Sequence, residues 1–236
     1  MLNNIKSKRR ELKYYVSYEE YIILSNLLKK IFQQDEHNNE NLKGYFIRSL
    51  YFDDIENKAF EDKVAGVEER SKYRLRIYDI GTKWVKFEIK NKLNDVITKE
   101  TAIISREDAG KIQNADYDVL LKYNNPVLNK AYIEFKKRFY LPVVMVDYIR
   151  EAFNYDLNKI RVCFDRFLKS SSLQLDIFKS GTILMPQLKK DIVIMEIKYN
   201  NFIPDWIKQI IQIPAFERSA ISKYCIGRID RFETII

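Results

Sequence analysis

The chain has 236 residues, 46% of them hydrophobic, with 16 Tyr and 14 Phe, a composition that supports a folded core and excludes a disordered chain. Its 41 Lys and Arg against 33 Asp and Glu leave a net charge of +8, which points to an anionic partner: nucleic acid, nucleotide, polyphosphate or an acidic membrane surface. Two cysteines without metal-ligand spacing, Cys163 and Cys225, fit buried free thiols in a reducing compartment, and with no apolar leader at Met1–Lys6 and no membrane-length apolar run a soluble cytoplasmic protein is expected.

No linker rich in Pro, Gly or Ser divides the chain, so a single domain over residues 1–236 is expected. Glu11 to Val16 predicts a first strand. Ser17-Tyr18-Glu19-Glu20 is a capping box for a helix to about Phe32, with Tyr21, Leu24, Leu28 and Ile31 as its apolar stripe. His37, the only histidine, lies in a polar loop and reads as solvated. A strand at Tyr45 to Phe52 is followed by a short helix opening at Asp53-Asp54 and running to about Lys63.

Strands at Arg70 to Tyr78 and Lys83 to Lys92, turning at Gly81, precede a strand from Asp95 to Ile104. Ser105 caps a short helix, Asp116 to Tyr123 continues helical, and Asn125-Pro126 opens a helix to about Arg138. The chain then returns to strands at Val143 to Phe153, Ile160 to Leu168 and Asp191 to Tyr199. Helices at Pro204 to Ile213 and from Ser219 finish it.

Several of these strands carry charge on alternate residues. Arg70, Lys72, Arg74 and Arg76 share one face, as do Lys86, Glu88 and Lys90 on the next strand; Tyr148 with Arg150, and Arg161 with Cys163 and Asp165, show the same habit. In Asp191 to Lys198 the row Ile192, Ile194, Glu196, Lys198 changes from apolar to charged. A buried carboxylate there needs a cation, a metal or water, the alternative being a solvated face. One apolar and one cationic face, repeated on strand after strand, imply a sheet curled around a polar interior. The expected fold is α+β: an eight-stranded antiparallel β-barrel, a tunnel, with flanking helices. Nucleic-acid binders display charge on an open face or a helix, so nucleic acid is not expected as a partner. No Walker-type motif or paired histidines are present.

In this order and spacing, Glu11 to Val16, Ser49-Leu50-Tyr51-Phe52-Asp53, Lys72 to Tyr78, Phe87-Glu88-Ile89-Lys90, Tyr148 to Phe153, Met195-Glu196-Ile197-Lys198 and Ser222-Lys223-Tyr224 carry a resemblance. Residues 8 to 228 resemble the polyphosphate-polymerase catalytic domain of the vacuolar transporter chaperone (VTC) complex, in the triphosphate tunnel metalloenzyme, or CYTH-like, superfamily. The resemblance implies a tunnel that binds ATP or another nucleoside triphosphate, transfers its terminal phosphoryl group to polyphosphate and leads the product out through the lumen. It further implies that Arg74, Arg76, Lys90, Arg150 and Lys223 act on the transferring phosphate. Lys13, Lys72, Lys86, Lys99, Tyr148, Arg161, Lys198 and Ser222 would bind substrate, and Glu196 would hold Mn²⁺ or Mg²⁺. By analogy with relatives fused to membrane segments, a separate membrane partner would receive the product.

Two departures from the family pattern bear on activity. Ala220 stands where the family's late motif has a basic residue, and Arg9 stands where superfamily hydrolases begin a Glu-x-Glu-x-Lys pattern. A lumen poor in acids and rich in bases favours a polymerase over a triphosphatase or tripolyphosphatase on the same fold. A non-catalytic polyphosphate or nucleotide sensor is the third reading.

Overall fold

The computed structural model describes residues 5–94, 96–211 and 216–233. Ten strands form one sheet: β1 (Ile5–Ser17), β2 (Gln33–Gln34), β3 (Tyr45–Asp53), β4 (Glu69–Ile77), β5 (Trp84–Leu93), β6 (Val96–Ser105), β7 (Leu141–Tyr155), β8 (Ile160–Ser171), β9 (Met185–Pro186) and β10 (Ile192–Tyr199). Eight of them follow one another as β7-β3-β4-β5-β6-β1-β10-β8, and β8 pairs back onto β7, so the sheet closes in a ring with every pairing antiparallel. The register shifts between Tyr51 and Phe52 in the β3–β7 pair and between Asp147 and Ile149 in the β7–β8 pair, irregularities that bend strands and help a sheet curl. The two-residue strands β2 and β9 extend the sheet, β2 pairing with β7 beyond the stretch that β3 covers and β9 with β8 beyond that of β10.

The helices are α1 (Tyr18–Leu28), α2 (Lys58–Val64), α3 (Arg106–Gln113), α4 (Pro126–Arg138), α5 (Asp205–Ile210) and α6 (Lys223–Glu233), with a 3-10 turn at Asp118–Tyr123. No helix among the described residues is long and apolar enough to cross a membrane. The capping box forms as its spacing predicts: the Glu20 amide donates to Ser17 Oγ at 3.1 Å and the Ser17 amide to Glu20 Oε2 at 2.7 Å.

Three boundaries differ from expectation for visible reasons. Asp53 and Asp54 cap α2 from outside: Asp53 accepts from the Ala59 and Phe60 amides and Asp54 from that of Lys58, so the helix starts later. Beyond Leu28 the α1 region tightens into a turn, with the Lys30 and Ile31 amides donating three residues back. The stretch before α6 is extended, because the Ser219 amide donates to the Lys13 carbonyl at 3.0 Å and Arg218 bridges to Tyr14; the helix opens only at Lys223. The expected ends at Asp95 and Ile213 lie outside the described residues.

The apolar faces of the strands point outward under the helices. Tyr73, Leu75, Ile77, Phe87 and Ile89 pack beneath α3 and α4, where Phe135 stacks on Tyr140 at 4.8 Å and meets Tyr73 edge-on at 5.2 Å. Removing a side chain such as Phe135 from water contributes about 1.5–3 kcal/mol. Tyr14, Val16, Phe164, Val193, Met195 and Ile197 pack under α1 and α5. A third cluster sets Tyr51, Val144, Val146 and Ile194, on inward-facing rows, against Ile221, Tyr224 and Cys225. Thus α6 fills one end of the ring, and the change of character along β10 has its cause: Ile194 meets α6, while Glu196 and Lys198 reach the cavity beyond it.

Candidate active site

The ring encloses a cavity of about 640 Å³. Among its described lining residues are fifteen Lys and Arg but only two acids, Glu11 and Glu196. The period-two face of β4 puts Arg70, Lys72, Arg74 and Arg76 there together. Register sets Arg70, Lys72 and Arg76 against like charges: Lys72 lies opposite Lys90, and Lys90 in turn opposite Lys99, so three lysines form a row across three strands. Like charges directly opposite destabilise a sheet, so this row needs anions.

Part of that need is met by four carboxylates. Glu88, fully buried opposite Arg74, accepts from Arg74 Nε at 2.7 Å and from Lys99 at 2.9 Å, with Arg76 Nε at 3.8 Å. Glu11 accepts from Lys90 at 2.8 Å. Asp165 forms a bidentate pair with Arg150 at 2.6 and 2.7 Å and meets Lys223 at 2.5 Å. Glu196 is met by Lys223 at 2.7 Å, Lys198 at 2.9 Å, Arg150 at 3.0 Å and Lys13 at 3.4 Å.

Burial by itself would raise these acids, but the surrounding cations overcome it, and Glu88 and Glu196 are held well below the usual carboxylate range. Neutral groups complete the lining. Tyr51 accepts from Arg74 at 3.0 Å and Tyr148 from Arg76 at 3.0 Å.

Lys72 stands apart. Its ammonium donates to Ser222 Oγ at 2.8 Å and lies 4.8 Å from the centre of the Tyr224 ring. Burial pushes it down to about 7, and Lys13, Lys90 and Lys63 add to the effect. Lys90 is likewise pushed down by burial, to about 8.

Of the residues singled out from the sequence, Lys13, Lys72, Arg74, Arg76, Lys90, Lys99, Tyr148, Arg150, Arg161, Glu196, Lys198, Ser222 and Lys223 come together in this one cavity. Lys86 does not line it; its ammonium sits over the Tyr78 ring at 4.6 Å, at the rim. Ala220 lines it, with Arg218 two residues away.

Sequence reasoning missed Glu11, Glu88 and Asp165 as site residues, although each shares a strand face with a cation that it chose. It also missed Lys63, which α2 brings in from outside the sheet with no periodic signal.

Among the described residues no three His, Cys, Asp or Glu side chains gather to hold a metal ion. Glu196 is an ionised carboxylate facing the cavity, chemistry that would suit a single oxygen ligand to a hard cation such as Mn²⁺ or Mg²⁺.

Such a lining can draw in and straighten a phosphate polyanion. Arg forks match pairs of phosphate oxygens and Lys adds point charges.

Comparisons with known proteins agree with this geometry. The family model described as the VTC domain matches residues 8–229. A Bacillus halodurans protein assigned as an adenylate cyclase superposes with a TM-score of 0.52 at 14% identity, covering 96% of this chain and 98% of its own. A Hippeastrum protein assigned as an adenylyl cyclase, with a dominant triphosphatase activity, superposes with a TM-score of 0.54 at 13% identity, covering 94% of this chain and 96% of its own. Among curated protein sequences none matches.

Proposed function

The chain belongs to the VTC domain family, and from that membership we propose that it is a metal-dependent phosphotransferase, moving the terminal phosphoryl group of ATP onto a growing polyphosphate chain inside the ring. The observation that carries this reading is the enclosed cavity with fifteen basic lining residues and two acids. Phosphoryl transfer asks for little covalent chemistry from a protein; it needs aligned reactants and fixed positive charge around the transferring oxygens. Arg74, Arg76, Lys90, Arg150 and Lys223 supply that charge at the centre, and Lys13, Lys72, Lys99, Arg161, Lys198, Tyr148 and Ser222 hold the chains on either side.

The attacking group is the terminal phosphate of the polymer, an anion already, so no side chain has to generate a nucleophile. Its oxygen bonds to the transferring phosphorus as the bond to the ADP oxygen breaks. The carboxylates keep the cations in place until phosphate oxygens take over. A divalent ion, Mn²⁺ or Mg²⁺, held through Glu196 would neutralise charge on the phosphate oxygens. We read residues 1–236 as one such catalytic unit.

Four carboxylates in or against the lumen wall favour a second reading, a triphosphatase, in line with the activity named for the Hippeastrum protein. Incubation with ATP and Mn²⁺, with and without a short polyphosphate primer, separates the two. ADP rising with lengthening chains and little free phosphate is the expected result; free phosphate without long chains identifies a hydrolase. In either case Arg74→Ala is expected to weaken tripolyphosphate binding about 10- to 100-fold, the worth of a lost charge-assisted fork. Calorimetric titration measures it, and an unchanged affinity would remove Arg74 from the phosphate site.

A further inference from the structure

The cavity lining differs at the two ends of the β4 face. Beside α6 it is edged by Lys63, Arg70 and Lys92, close enough that the charges of Arg70 and Lys92 act on Lys63. The other end, which we take as an opening, is aromatic. Tyr78, one residue past β4, is 37% exposed, and its ring lies 6.0 Å from that of Tyr45. Tyr45 is fixed on its far side by His37, edge-on at 6.0 Å, and its hydroxyl accepts from Arg161 at 3.0 Å. Arg161 is itself pinned by Asp35 at 2.5 Å. Lys86 lies over the Tyr78 ring.

We propose that the Tyr45 and Tyr78 opening seats the nucleobase of the nucleoside triphosphate, with the phosphates running inward along the β4 face toward Arg70; this rests on the phosphotransferase reading above. Spacing supports the placement. Four strand residues separate Arg74 from Tyr78, about 13 Å at the rise of an extended chain. That is the reach of an extended triphosphate and its ribose, so a terminal phosphate at Arg74 puts the base at Tyr78.

Chemistry supports it too. An exposed phenol ring offers a stacking face to any planar base, whereas the opposite end offers charge suited only to more phosphate. A stacked base replaces Lys86 on the ring and frees its ammonium for the phosphate nearest the ribose. Stacking also reads no hydrogen-bond pattern, so adenine and guanine nucleotides are accepted alike.

The test compares a non-hydrolysable ATP analogue with inorganic tripolyphosphate on the parent protein, Tyr78→Ala and Tyr78→Phe, by calorimetry. Tyr78→Ala is expected to weaken the nucleotide analogue about tenfold, the lower range for loss of one base–aromatic stack, and to leave tripolyphosphate at the parent affinity. Tyr78→Phe keeps both. Equal weakening of the two ligands, or an unchanged nucleotide affinity in Tyr78→Ala, overturns the base site alone. A parent protein that binds neither ligand overturns the phosphotransferase reading and the base site with it.

Discussion

Glu196→Gln is expected to cut metal-dependent turnover about 10²- to 10³-fold, the range seen when one preorganised charge is removed from a reacting centre. The change keeps shape and volume and removes only the charge. Lys13, Lys198, Lys223 and Arg150 lose one shared partner, but Asp165 still holds Arg150 and Lys223, and Glu11 still lies 3.8 Å from both Lys13 and Lys198. The cationic wall therefore stands, and tripolyphosphate binds at least as well as to the parent because one competing anion is gone. The two readouts should part: turnover with Mn²⁺ collapses while affinity holds. Full turnover in this variant would assign the metal role to another residue, and loss of both together would make Glu196 a structural carboxylate.

The largest effect on stability is expected from Glu88→Gln, about 3–5 kcal/mol, because removing one member of a buried ion cluster leaves the others without compensation. Arg74, Arg76 and Lys99 all face Glu88, which has no solvent exposure. Added tripolyphosphate should restore much of the loss, since it supplies the missing negative charge only in the folded state. Thermal unfolding with and without tripolyphosphate measures both numbers.

The pH dependence follows from the direction of the shift. Arg74, Arg76 and Lys99 outweigh burial and hold Glu88 well below its ordinary value, so its contribution is complete above the usual carboxylate range and is lost as pH falls through the depressed value. The gap between parent and variant should persist at pH 5 and close only in strong acid. A variant that melts with the parent at pH 7 would show that the cluster contributes no net stability.

Much of this site was legible because a strand has period two. Arg70, Lys72, Arg74 and Arg76 could face only one way together, and the order of motifs from Glu11 to Lys223 supplied the closure into a ring. The compensating acids were harder to see. Glu88 sits among the chosen cations on β5, but which cations a carboxylate satisfies depends on the neighbouring strand, and the pairings of Glu88 with Arg74 and Lys99 cross two registers. The late start of α2 follows from the same limitation: Asp53 and Asp54 look like first-turn acids, yet they accept amides from a turn away. Lys86 kept the right periodicity but stands at the rim, where alternation says nothing about depth. The extended stretch before α6 depends on contact with β1, some two hundred residues earlier in the chain, which no local pattern records.

Closure of the ring also protects the protein from itself. An open sheet ends in strands whose unpaired amides and carbonyls can recruit a strand from another molecule, the first step toward aggregates. Here each of the eight long strands has a neighbour on both sides, and the strands added beyond the ring, β2 and β9, are two residues each, one of them ending in Pro186, which has no amide to donate. For a chain so rich in aromatic and β-branched strands, the pairing of β8 with β7 is therefore the step that removes the two long edges an open sheet would keep.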